Sequence, residues 1–115
     1  MDLSFQQDSG GLILVHVRGK VTQDKVSSFT EPLSQKLGAS CYSQKVLLDL
    51  AQAEYIDSSG VSWLLVCHKR FRENGGKLIL FGIPPMVANV FKVLRMDAVF
   101  EIAPDKTGAL KLALG

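Results

Sequence analysis

The chain opens with two runs that alternate apolar and polar residues, Leu3 to Gln7 and Leu12 to Arg18, separated by Asp8-Ser9-Gly10-Gly11. Alternation with period two on both sides of a glycine-rich break predicts a β-hairpin. Gly19-Lys20-Val21 leads out of the second strand, and Thr22 is placed to cap a helix with Val26, Phe29, Leu33 and Leu37 on its stripe and Gly38 at its end. Pro32 falls in the middle of that stripe, where a proline removes a hydrogen bond and kinks a helix. Lys45 to Leu50 is a nearly continuous apolar run suited to the middle of a sheet. Beyond it, Val61, Leu64, Leu65, His68 and Phe71 keep the i, i+3, i+4, i+7 spacing of a helix from Asp57 to Asn74. Asn74-Gly75-Gly76 stops that helix and Lys77 to Phe81 supplies another strand. Pro84-Pro85 opens a helix with Val87, Val90, Phe91 and Leu94 on its stripe, proline being tolerated in a first turn. Ala98 to Ile102 reads as a short last strand and Asp105 to Leu114 as a terminal helix.

Strands and helices that alternate with short connections imply parallel strands joined by helical crossovers, and the hairpin adds an antiparallel member. The expected fold is therefore α/β, a mixed β-sheet with an N-terminal hairpin and helical crossovers, in one domain over residues 1–115. Charge changes this picture little. Thirteen Lys and Arg stand against eleven Asp and Glu, for a formal +2. Basic residues are scattered apart from Lys69-Arg70-Arg72, which is expected to solvate a helix face, so there is no footprint for nucleic acid. No apolar run approaches 18 residues and no signal-peptide pattern precedes the hairpin, which points to a cytoplasmic, soluble chain without membrane contact. Cys41 and Cys67 lack metal-ligand spacing, and His16 and His68 are expected to be structural, so neither metal nor cofactor is implied.

The chemistry concentrates at Tyr55-Ile56-Asp57-Ser58-Ser59-Gly60-Val61. Asp57, Ser58 and Ser59 are all good N-cap residues. The amides and dipole of a helix N-terminus also favour an anion, so a phosphate on Ser58 or Ser59 would be held there without opening the fold. Ordinary capping is the competing reading of the same residues. A serine hydrolase is disfavoured, because Gly-x-Ser-x-Gly is absent and neither histidine is placed by sequence to act as base.

Val46-Leu47-Leu48-Asp49-Leu50, the Tyr55 to Val61 junction, Gly75-Gly76-Lys77-Leu78-Ile79-Leu80-Phe81-Gly82 and Val87 to Leu94 together resemble the STAS domain of anti-sigma-factor antagonists. The resemblance implies a non-enzymatic partner switch. The unmodified protein would bind an anti-sigma factor that is also a serine-protein kinase, which would phosphorylate Ser58, and a phosphatase would reverse the modification. By the same resemblance Asp57 shapes the acceptor loop, Ser59 is the second hydroxyl, and Gly60 lets partner backbone approach. Ile56, Ser58, Gly60 and Trp63 would form a weakly charged contact face. Trp63 lies off the main stripe with Val66 and Arg70, where it would serve an interface or pack under a loop. Two stretches depart from the family: Gly19-Lys20-Val21-Thr22 lacks an acidic residue before the first helix, and Ala51-Gln52-Ala53-Glu54 replaces the usual turn. A STAS scaffold subunit of a larger signalling complex, not switched at Ser58, is the alternative.

Overall fold

The structure, a computed structural model, describes residues 1–7, 11–22 and 32–114. Strands β1 (Asp2–Gln7) and β2 (Leu12–Val21) form the expected antiparallel pair, with Leu3 opposite Val17 and Gln7 opposite Ile13. Strands β3 (Lys45–Ile56), β4 (Lys77–Phe81) and β5 (Glu101–Ala103) then add in parallel, giving one five-stranded mixed sheet in the order β1-β2-β3-β4-β5. Helices α1 (Pro32–Leu37), α2 (Ser58–Glu73), α3 (Pro85–Val93) and α4 (Lys106–Leu114) complete the fold, with a 3₁₀ turn at Ala39–Ser43.

Two apolar layers follow from the strand alternation. Val15, Val17, Val46, Leu48 and Leu50 point to the face covered by α2 and α3, where they meet Leu64, Phe71, Val87 and Phe91. Leu12, Leu47, Ile79 and Phe81 point to the other face and meet Ala109 and Ala113 of α4. The small side chains of α4 let it lie close to the sheet, and Lys77 Nζ ties its last turn by donating to the Leu112 carbonyl at 2.9 Å.

Several elements differ from the sequence expectation. The described part of α1 runs from Pro32 to Leu37, so the helix start expected at Thr22 and the kink expected at Pro32 turn on residues outside the described ones. Val26 and Phe29 of the expected stripe lie outside the described residues. Gly38 ends α1 as expected, at φ 85° with its amide donating to Ser34 O. Ala51-Gln52-Ala53-Glu54 is not a turn. Strand β3 continues through it to Ile56, still paired with β2, while its pairing with β4 stops at Asp49. The last strand is shifted to Glu101–Ala103, and the amides of Val99 and Phe100 instead turn back onto the Met96 carbonyl. Arg70 does not simply solvate the α2 face: its guanidinium donates to Tyr42 Oη at 3.1 Å and lies 5.5 Å from that ring.

Candidate functional site

The extra length of β3 builds the site. From Leu50 to Ile56 the strand runs on past the end of β4 with only β2 beside it, and beyond Arg18, where β1 also ends, Gly19 to Val21 and Ala53 to Ile56 make a two-stranded arm of roughly 10 Å at 3.3 Å per residue. Irregularities in register between His16 and Arg18, and between Gly19 and Lys20, bend this arm as bulges do. Val21 pairs with Ile56 at its tip, and the chain then turns directly into α2.

Asp57 makes that turn possible. Its backbone is extended, at φ −120° and ψ −174°, and its Oδ1 accepts from the Gly60 amide at 3.1 Å and from the Ser59 hydroxyl at 2.5 Å. This is N-cap bonding to an otherwise orphaned helix donor. The Ser59 hydroxyl, then the Gly60 amide, hold the Asp57 carboxyl below the usual carboxylate range, because both donate to its charged form. The two serines consequently differ. Ser59 is half-buried with its hydroxyl committed to Asp57, whereas Ser58 is exposed on the first turn of the helix.

Three of the expected contact residues are inside the fold. Ile56 is 2% exposed and Trp63 only 1%. The buried stripe of α2 is centred on Gly60, Cys67 and Phe71, with Leu64 beside them and Trp63 and Val61 on its two flanks, so Trp63 is part of the buried face. Gly60 is buried as well. A Cβ there would stand 2.0 Å from the Val21 carbonyl oxygen and 2.9 Å from Ile56 Cγ1, so its lack of a side chain admits the protein's own β2 rather than a partner's backbone. The residues displayed next to Ser58 are others. Tyr55, 43% exposed, is opposite Lys20 in the arm and shares its outward side. Strand alternation carries that signal: a buried Ile56 sends Tyr55 outward.

Both histidines are held by packing or pairing. Nδ1 of His16 lies 2.9 Å from Asp49 Oδ2 across the β2–β3 register, a pair that only the register brings together. His68 stacks edge-on against Phe100 at 5.9 Å, and burial followed by the neighbouring Arg72 charge lowers its pKa, with Glu101 acting in the opposite direction. No group of three or more metal-ligating side chains occurs among the described residues, and no helix among them is long and apolar enough to cross a membrane.

Comparison with known proteins places this geometry among relatives. The STAS domain model matches residues 6–109. The candidate anti-sigma factor antagonist BtrV of Bordetella bronchiseptica is 29% identical over 101 residues, covering 86% of this chain and 84% of its own. The crystal structure of a candidate anti-sigma factor antagonist from Thermotoga maritima superposes with a TM-score of 0.73 at 13% identity, over 98% of this chain and 95% of that one. The Bacillus cell fate determinant SpoIIAA in its phosphorylated form gives 0.66 at 15% identity, over 96% and 99% of the two chains.

Proposed function

The chain belongs to the STAS domain family, and on that premise we propose that it is an anti-sigma-factor antagonist switched by phosphorylation of Ser58. The observation that carries this reading is the division between the two serines. The Ser58 hydroxyl is presented at the exposed start of α2, at the tip of an arm that projects it beyond the sheet, while the Ser59 hydroxyl is bonded to Asp57. An anti-sigma factor with serine-kinase activity binds the unmodified tip and transfers a phosphoryl group to Ser58, and a phosphatase removes it. The protein acts in the cytoplasm by binding, not by catalysis. Its contact surface is Ser58 with the exposed parts of Asp57 and Ser59, extended along the arm by Tyr55 and Lys20; Ile56, Gly60 and Trp63 support it from beneath.

Charge makes the switch. A phosphate adds about −1.5 to −2 charges to a surface the partner must cover, and covering it without a matching cation costs several kcal/mol. A net loss of about 3 kcal/mol already weakens binding roughly a hundredfold. That the relative SpoIIAA has been solved phosphorylated supports a modification of this kind on this fold. The test is incubation with the cognate anti-sigma kinase and Mg-ATP, followed by mass spectrometry and calorimetry. One phosphate on Ser58 and a loss of affinity near a hundredfold are expected. Modification at Ser59 instead would reverse the assignment, and persistent tight binding without phosphoryl transfer would favour a STAS scaffold subunit.

A further inference from the structure

The face of the sheet remote from α2 carries a second feature. Helix α4 packs over β3, β4 and β5, and beside it the strands β1 to β3 leave a cavity of about 170 Å³. Leu12, Leu14 and Leu47 make its floor and Leu110 its wall. Leu14 and Leu47 are register partners with Gln6 beyond them, so one row of the sheet grades from apolar to polar towards the β1 edge. Water on a floor of leucines finds few hydrogen-bond partners, and hydrocarbon displaces it favourably. An apolar cavity of about 150 Å³ admits a benzene-sized molecule, which sets the body of an occupant at about six carbons.

The rim sets the sign of its head group. Lys106 is the charged residue of the lining, stands in the first turn of α4 where the helix dipole adds positive potential, and makes no ion pair among the described residues. The nearby carboxylates are otherwise engaged. Asp105 Oδ1 accepts from the Gly108 amide at 2.8 Å, and Asp49, one row along the sheet, accepts from Ala51 N and pairs with His16. The Gln6 carboxamide supplies a further donor at the rim. We propose that this cavity is a binding site for small monocarboxylates, with the hydrocarbon body on Leu12, Leu14, Leu47 and Leu110 and the carboxylate at Lys106. The site is on the opposite face from Ser58 and does not rest on the phosphorylation reading.

Titration of the ¹⁵N-labelled chain with sodium hexanoate tests it, against acetate, hexan-1-ol and hexylammonium as probes lacking the chain, the charge or its sign. Saturable amide shifts at Leu12, Leu14, Leu47 and Leu110 are expected, with hexanoate at least about tenfold tighter than each of the other three. Lys106→Glu and the cavity-filling Leu14→Trp should each weaken hexanoate at least about tenfold. Lys106 is exposed, so its variant tests the head-group contact even if Leu14→Trp fails to fold. Absence of saturable shifts at these residues would overturn the site, and hexan-1-ol binding as tightly as hexanoate, or unchanged hexanoate affinity in Lys106→Glu, would overturn the carboxylate class.

Discussion

Gly60→Ala separates two accounts of the same glycine. If the residue is small so that a partner can approach, alanine leaves the free protein intact and harms only binding. The structure puts the obstruction inside. The added Cβ would meet the Val21 carbonyl oxygen at 2.0 Å and both Val21 C and Ile56 Cγ1 at 2.9 Å. Even a close C···O contact needs about 3.3 Å, so the carbonyl or the helix start must move by more than about an ångström. Neither moves alone. Val21 is the last rung of the β2–β3 arm, opposite Ile56, and Gly60 N is the amide that Asp57 caps. Overpacking a rigid site typically costs 1–3 kcal/mol, and because backbone is the obstacle here the upper end, about 3 kcal/mol, applies. For a chain of this length each kcal/mol lowers Tm by roughly 4 °C, so a drop of about 12 °C is expected, with a matching fall in the urea midpoint at unchanged m-value. Melting of purified wild type and Gly60→Ala by circular dichroism reads it. A variant that melts within about 2 °C of wild type yet loses its partner would refute the packing argument and restore the partner-approach account.

Trp63→Ala should destabilise the fold by about 3–5 kcal/mol, as for other buried large-to-small changes, whereas Tyr55→Ala should shift stability by less than about 0.5 kcal/mol. In calorimetry with the anti-sigma partner, Tyr55→Ala should instead cost at least about 1 kcal/mol of binding, the mark of an exposed aromatic anchor. Asp57→Asn keeps a capping side chain and removes the charge, and since the folded carboxyl titrates below its unfolded counterpart, the stability it adds is present at neutral pH and lost as pH falls through the carboxylate range. The Tm gap between wild type and Asp57→Asn should therefore be widest near neutrality and close with acidification. For His68, whose pKa burial and Arg72 lower, an NMR titration should show it protonating below the ordinary imidazole range, moving up in Arg72→Gln and further down in Glu101→Gln.

Much of this architecture is legible in the residues, and the misreadings have physical causes. The hairpin, the apolar core of β3, the capped start of α2 and the strand β4 follow from alternation, capping and glycine stops, because local pattern and tertiary packing agree there. The arm does not follow. Ala51-Gln52-Ala53-Glu54 lacks β-branched and aromatic residues, yet pairing with β2 and the burial of Ala53 keep it extended, so tertiary context overrides propensity. The phase of α2 is misread for a related reason. Leu65 and His68 draw the apparent stripe to one side, while Gly60 has no side chain to announce it as core and Cys67, expected as helix packing, lies off that stripe. Counting them puts Trp63 at i+3 from Gly60 and Cys67 at i+7, which is the inward face.

That rephasing changes what a partner reads at the site. A contact face of Ile56, Gly60 and Trp63 would have been apolar and shaped, and a phosphate could have disrupted it by unfolding the junction. With those residues buried, the presented surface is two hydroxyls, one carboxylate whose Oδ1 accepts from the Gly60 amide and the Ser59 hydroxyl, and an aromatic and a lysine along the arm. A phosphate on the exposed Ser58 then displaces nothing in the core. Dipole and amide contacts at the helix start contribute about 0.3–1 kcal/mol in its favour, against repulsion from Asp57, so the modified domain should melt within a few degrees of the unmodified one. On the proposed reading the signal would then be carried by charge on an unchanged scaffold. Loss of cooperative melting on phosphorylation would show instead that the switch works by loosening the arm.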